Sequence, residues 1–265
     1  MHQTAYIFGE GFFQTYAKDQ GPIRVLEIGS QSIDGRPRLR DHKPNNCIEY
    51  VGVDFEKGPN VDLVLFDRYS FAPLKDNTFD FVVSTSCFEH SEMFWLTFLE
   101  GMRILKPSGV MYCNAPSAWM GYHRYPVDCW RFWPDAAKGL QSWGRRNGMQ
   151  TQVLESFIGM PDLELMASDW VAVFIKDVSY IDRYPNRMVD ILQPFQNFFN
   201  GYRYPSNNKF PDGWDKLVAH YSQGQSPVLE FTNEGIIQHI RMPTDYERVT
   251  QTVDLKSLPI NNKKI

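Results

Sequence analysis

Short apolar runs, each closed by a polar or glycine break, recur through the first half of the chain. The run Ile23–Ile28 (IRVLEI) is rich in β-branched residues and stops at Gly29. Similar runs follow at residues 50–55 (YVGVDF), 61–66 (VDLVLF) and 79–84 (FDFVVS). A fifth, at 110–115 (VMYCNA), comes after the turn signal Lys106-Pro107-Ser108-Gly109. Runs this short and this apolar predict strands buried on both faces. Between the last two, residues 92–105 place Phe94, Leu96, Phe98, Leu99, Met102, Ile104 and Leu105 mainly on one side, with Glu100, Arg103 and Lys106 free to face water. That spacing predicts a helix. Strands separated by crossovers predict an α/β fold: a Rossmann-like, mostly parallel sheet with helices on both faces.

After Pro116 the pattern changes to aromatic residues mixed with charges: Trp119, Tyr122, His123, Arg124, Tyr125, Asp128, Trp130, Arg131, Phe132 and Trp133. This segment reads as a loop packed over a site. Pro134, followed by Asp135-Ala136-Ala137, opens a helix running to about Arg146, because proline is well tolerated in a first helical turn. Residues 153–158 and 170–175 offer two further strands. Beyond Ser179 the pattern gives way to Pro185, Pro194, Pro205, Pro211 and Pro227 among Asn and aromatic residues, with short helical stretches such as 215–221. The expected organisation is one domain over residues 4–179 and an irregular extension over 180–265. The extension would shape either the acceptor pocket or a homodimer interface.

The 265 residues include 27 basic and 31 acidic side chains, a net charge of −4, with 43% hydrophobic and 15% aromatic content. Disorder as the main state is excluded. A mildly acidic chain has no general attraction for phosphate backbones or anionic lipid, so neither nucleic acid nor a membrane is an expected partner. Cys47, Cys87, Cys113 and Cys129 form no Cys-x-x-Cys pair and read as reduced thiols of a cytoplasmic protein. The first twenty residues lack the order of a signal peptide, and no apolar run approaches the roughly 18 residues of a membrane span. His2, His42, His220 and His239 show no metal-ligand spacing, and no structural metal is expected, with a divalent ion that helps the acceptor left open as an alternative.

In open parallel sheets, ligands bind beyond the carboxyl ends of the strands, so the residues that follow each strand carry the chemistry. These are Glu27-Ile28-Gly29-Ser30-Gln31-Ser32, then Asp54-Phe55, then Asp67-Arg68, then Ser86-Cys87 leading to Glu89-His90. An acid about 25 residues past the first glycine can accept from both hydroxyls of a ribose, and Asp54 is that acid. Asp67 would accept from an adenine amino group, or would simply cap the turn that precedes Pro73; Phe55 would lie on the adenine face.

These motifs, in the order VLEIGS, YVGVDFEKGPNVDLVLFD, FDFVVSTSCFEH and RILKPSGVMYCNAPS, make residues 24–117 resemble the class I S-adenosylmethionine-dependent methyltransferases. The resemblance covers about a third of the chain. It implies S-adenosylmethionine as cofactor, with Glu27, Gly29, Ser30 and Gln31 around its methionine part, Asp54 on the ribose, Asp67 at the adenine, and Ser86 and Cys87 lining the pocket. His90 would lie near the transferred methyl group. Gln31 stands where the usual second glycine would be, a less permissive loop. The Gly-Ser pair with the downstream Asp34-Gly35, and the segment from His123 to Trp133, are similar to methyltransferases of bacterial surface-sugar pathways. The implied acceptor is a hydroxyl of a sugar, a nucleotide sugar or another small polar molecule.

A hydroxyl acceptor must lose its proton, and His90, His123 and Asp128 are the candidate bases. Arg124 and Arg131 would hold an anionic group on the acceptor. Three other readings compete. A nicotinamide-dependent oxidoreductase would need the second glycine that Gln31 replaces. Nucleic-acid methylation is suggested by Asn114-Ala115-Pro116-Ser117, but that string follows the fifth strand and the chain is acidic. A catalytically silent module would keep the fold alone. His90 also reads as a structural cap, and Cys87 as a small apolar filler rather than a nucleophile.

Overall fold

The computed structural model describes residues 3–32, 38–117, 121–159 and 168–192, together with the backbone of three later strands. The first unit, Met1–Phe210, is built on an eight-stranded sheet. Its strands are β1 (Ile23–Ile28), β2 (Cys47–Asp54), β3 (Leu63–Val64), β4 (Phe79–Thr85), β5 (Leu105–Pro116), β6 (Gln152–Ile158), β7 (Asp169–Ile175) and β8 (Gln196–Phe199), in the order β3-β2-β1-β4-β5-β7-β6-β8. Pairings from β3 to β5 are parallel; β7 runs antiparallel to β5 and β6, and β8 antiparallel to β6. The mostly parallel Rossmann-like sheet is therefore present.

Alternation along the strands sorts the core into two layers, because successive side chains leave opposite faces. Leu26, Val82, Met111, Cys113, Ala172 and Phe174 meet Phe98 and Met102 of helix α2 (Phe94–Ile104) and Ala137 and Leu140 of helix α3 (Pro134–Arg146). On the other face Val25, Phe81, Tyr112, Val171 and Val173 meet Phe8, Phe12 and Tyr16. Those residues belong to helix α1 (Gln3–Phe12) and the π-helical turn Phe13–Ala17 that continues it. Helices thus cover both faces, as expected.

Several boundaries differ from the sequence reading. Helix α1 has no counterpart there, because Gly9 and Gly11 interrupt a helical pattern. In the fold they are where the helix presses closest on its neighbours: an added Cβ would lie 2.2 Å from Leu39 Cδ1 and 2.4 Å from Leu192 Cδ1. The expected strand at 61–66 shortens to two residues, and Phe66 is fully exposed. The signal Lys106-Pro107-Ser108-Gly109 makes a bulge inside β5, not a turn before it. Phe79 pairs with Leu105 while Phe81 pairs with Val110, so the extra residues are looped within the strand.

The chain does not leave the core at Ser179. Tyr184, Met188 and Val189 are buried in the second layer, held by Glu155, which accepts from the Met188 and Val189 amides at 2.8 and 3.2 Å and from the Tyr16 hydroxyl. Three short strands lie farther along, the first of them β8. The second unit, Pro211–Ile265, contains an antiparallel pair, β9 (Val228–Phe231) and β10 (Ile237–Arg241). The helical stretch expected at 215–221 lies outside the described residues, as do Asp34-Gly35 and Trp119. Among the described residues no helix is long and apolar enough to cross a membrane.

Candidate active site

Strand order reverses between β1 and β4, and a cavity of about 520 Å³ opens there, beyond their carboxyl ends. Of the residues singled out in the sequence, Glu27, Gly29, Ser30, Gln31, Asp54, Phe55, Ser86, Cys87, His90 and His123 line it, as does Arg124. Asp67 and Asp128 do not.

The loop after β1 fits against the loop after β4. Gly29 has φ +73°, and a Cβ there would lie 2.6 Å from both Cβ and Sγ of Cys87. Ser86 also adopts a left-handed φ, +51°, so the second loop turns sharply into the 3-10 turn Phe88–His90. A side chain at position 29 therefore meets both backbone strain and a clash. Gly29→Ala should destabilise the protein by about 1–2 kcal/mol from the backbone alone. It should also displace Cys87 into the cavity and weaken S-adenosylhomocysteine binding roughly tenfold. Urea unfolding and calorimetric titration check the two parts.

Asp54 is nearly buried, and its carboxylate accepts from the Gln31 and Phe55 amides at 3.0 and 2.8 Å and from Glu56 N at 3.4 Å. These bonds tie the two loops together and leave the carboxylate at the cavity wall. Burial raises its pKa against those amides, which lower it. Glu27, 6% exposed, accepts from the Tyr50 hydroxyl at 3.0 Å and from Asn60 Nδ2 at 3.2 Å; burial pushes its pKa from 4.5 to about 7. Asn60 was not legible as a site residue. It sits at φ 73° after Gly58-Pro59 and also donates to the Ser30 carbonyl at 2.8 Å, so the Gly-Pro-Asn turn was the available signal.

Asp67 caps a turn: its Oδ1 accepts from the Tyr69 amide at 2.9 Å. Its neighbour Arg68 lines the cavity, with its guanidinium 4.5 Å from the centre of the Phe55 ring. Cys87 is held as a thiol, its pKa raised to about 12 by burial and then by the charges of Asp54 and Glu89. That suits wall material and not a nucleophile.

The segment 121–133 brings a second group of polar side chains to the cavity. Phe132 stacks on Trp170, and Trp130 packs edge-on against Phe94 and Trp95 while its indole donates to the Ser91 carbonyl at 2.9 Å. With these two rings anchored, the imidazole of His123 stands edge to face with that of His90, centroids 5.1 Å apart. Nδ1 of His90 bonds the Val127 carbonyl, and Nδ1 of His123 lies 3.0 Å from the Gly121 carbonyl. Each contact calls for hydrogen on Nδ1, leaving Nε2 as the acceptor. Arg131 Nη2 is 3.4 Å from His123 Nδ1, but the shorter carbonyl contact and the Asp128 carboxylate 3.6 Å away favour the same tautomer.

Asp128 is committed elsewhere. It takes a two-pronged bond from Arg131, at 2.5 and 2.8 Å, and accepts from the His123 amide at 2.8 Å. The Arg131 hydrogen bonds hold its pKa near 2, so it shapes the loop and is a poor proton acceptor. His123 is shifted upward, chiefly by Glu89. Glu89 itself, absent from the sequence-derived set of site residues, is fully buried beside both imidazoles.

Residues 9–113 match the family model described as a methyltransferase domain. Curated proteins returned no match. Solved structures with a similar chain path include a 1,6-didemethyltoxoflavin-N1-methyltransferase from Burkholderia thailandensis with bound 1,6-didemethyltoxoflavin and S-adenosylhomocysteine (15% identity, TM-score 0.47, 66% of this chain and 77% of that one). They also include the [4+2]-cyclase SpnF (17%, 0.47, 66% and 83%). A third is a complex of the Haloferax volcanii Trm112 methyltransferase activator with a methyltransferase (16%, 0.45, 66% and 90%). Likenesses at this level fix neither an acceptor nor the role of any residue. The matched span contains the Gly29 loop, Asp54 and the Cys87 loop, and the match supports an S-adenosylmethionine-dependent methyltransferase with S-adenosylmethionine as its cofactor.

Proposed function

We propose that the protein transfers the methyl group of S-adenosylmethionine to a hydroxyl of a small polar acceptor of the sugar class. The carrying observation is that one cavity is lined both by the Asp54 carboxylate and by the imidazoles of His90 and His123. In this reading Asp54 accepts from the ribose hydroxyls, Glu27 and the Gly29-Ser30-Gln31 loop hold the methionine part, and Phe55 with Arg68 borders the adenine. The sulfonium already makes the methyl group electrophilic, so positioning is the main demand on the protein. The remaining demand is the acceptor's proton, which His90 and His123, lining the cavity with Glu89 beside them, would draw off. Arg124 and Tyr125, both exposed and both lining the cavity, supply a charge and a ring face for a phosphate-bearing or plain pyranose acceptor. The four free cysteines accord with a cytoplasmic setting.

The test is release of S-adenosylhomocysteine from S-adenosylmethionine across a panel of sugars, nucleotide sugars and amines. Acceptor-dependent release with a sugar hydroxyl is expected, with kcat lowered on the order of a hundredfold or more in His90→Asn. Turnover of amines alone by the folded protein would sink the hydroxyl reading.

A further inference from the structure

Glu89 is 0% exposed, and among the described residues neither of its carboxylate oxygens has a hydrogen-bond partner. Taking a carboxylate out of water without a partner is costly, so the fold keeps it there for something that meets it. What faces it is a pair of imidazole nitrogens: His90 Nε2 at 3.6 Å and His123 Nε2 at 3.9 Å from Glu89 Oε1. Both separations are too long for hydrogen bonds. One ligand atom from each of the three side chains falls within 4.8 Å of the other two. Around a tetrahedral ion with bonds of 2.0–2.1 Å, neighbouring ligand atoms stand about 3.4 Å apart. The two Glu89 contacts exceed that by about 0.2–0.5 Å, and the ligand nitrogens of the two imidazoles lie within 4.8 Å of each other.

The outer contacts are those that a metal site requires. A ligating histidine donates its other ring N–H to a carbonyl or carboxylate, which fixes the ring and aims the free lone pair. His90 does this at the Val127 carbonyl and His123 at the Gly121 carbonyl, so both Nε2 lone pairs turn toward Glu89. Two imidazoles and one carboxylate favour a first-row transition cation over magnesium or calcium, which prefer all-oxygen sets.

We propose that Glu89, His90 and His123 bind a divalent transition cation of the zinc class, with a coordination position left open toward the cavity. The ion site stands on this geometry; its use in catalysis rests on the methyl-transfer reading above. There the acceptor hydroxyl would coordinate the ion, and its proton would leave to water because the bound hydroxyl is more acidic. The oxygen then attacks the methyl carbon, the carbon–sulfur bond breaks with its electron pair on sulfur, and neutral S-adenosylhomocysteine remains. With the ion in place the imidazoles act as ligands, and in its absence they are left as bases. Sequence spacing alone shows no such site, because its ligands come from the 3-10 turn after β4 and from the distant segment 121–133.

The test titrates Co²⁺ alone into the metal-stripped full chain, followed by visible absorption and then by displacement with Zn²⁺. One equivalent should bind, and His90→Asn and His123→Asn should each weaken it by at least about tenfold. Glu89→Gln should do the same; if that variant fails to fold, the two histidine variants decide. Absence of saturable Co²⁺ or Zn²⁺ binding by the folded wild type at roughly micromolar concentration overturns the site, as does unchanged affinity in both histidine variants. S-adenosylhomocysteine titrated into the same preparation keeps the two readings apart. Its binding without Co²⁺ removes the ion site and leaves the methyltransferase; Co²⁺ binding without it supports the ion site and removes the methyl-transfer reading.

Discussion

Asp54→Ala should weaken S-adenosylhomocysteine binding by about 2–4 kcal/mol, on the order of a hundredfold in Kd, while leaving a folded protein. Two losses add. In the proposed complex the carboxylate accepts from the ribose hydroxyls, and hydrogen bonds to a charged group are each worth about 1.5–3 kcal/mol. In the free protein it also receives the Gln31 and Phe55 amides, so its removal loosens the loop that must wrap the methionine part. Asp54→Asn separates the two contributions, since its amide oxygen still accepts from one loop while the charge is gone. It should fall between wild type and Asp54→Ala. Calorimetric titration gives the affinities, and near-ultraviolet circular dichroism shows whether each variant is folded.

Glu27→Gln should gain stability and lose affinity. The Glu27 carboxyl titrates near 7 in the fold because burial outweighs the bonds from Tyr50 and Asn60, against 4.5 for an ordinary glutamate. Between those two values the folded chain holds a proton that the unfolded chain has released. Stability therefore falls as pH rises through that window, and the full penalty is present above about 7. The gap corresponds to about 3 kcal/mol as an upper bound. Glutamine removes the penalty while keeping nearly the same shape. The variant should melt several degrees above wild type at pH 8, with little or no gain at pH 5. Glu27 is proposed to face the methionine part of the cofactor, whose ammonium would favour the charged carboxylate, so the same substitution should weaken cofactor binding. Equal melting curves at pH 8 would show that Glu27 carries no such penalty.

The central sheet was legible because its strands are buried on both faces and read as unbroken apolar runs. Val25, Leu26, Phe81, Val82 and Val83 are all fully buried. Elements stabilised mainly by tertiary contacts were not. Helix α1 carries two glycines that local propensity counts against it, and it is held by packing on Leu39, Tyr112 and Leu192. The segment past Ser179 is held by contacts far away in sequence: the buried acid Glu155, the Ser108 and Leu154 carbonyls, and the apolar layer that takes Tyr184, Met188 and Val189. The cavity wall formed by Glu27, Gly29, Asp54 and Phe55 follows strand-end positions, which the sequence singles out. Asp67 was the exception, because the loop after β3 turns its carboxylate onto the Tyr69 amide and brings Arg68 to the cavity instead. The other end depends on how the segment 121–133 folds back over the sheet. That path set Glu89 against two imidazoles and tied Asp128 to Arg131, neither of which spacing along the chain reveals.

The most direct test of the central claim is a crystal structure of the full chain with S-adenosylhomocysteine bound. The ribose hydroxyls should fall within hydrogen-bond distance of the Asp54 carboxylate, and the sulfur should face the part of the cavity that His90 and His123 line. A folded protein that takes up no ligand, or one that holds it away from Asp54 and the Gly29 loop, would contradict the account.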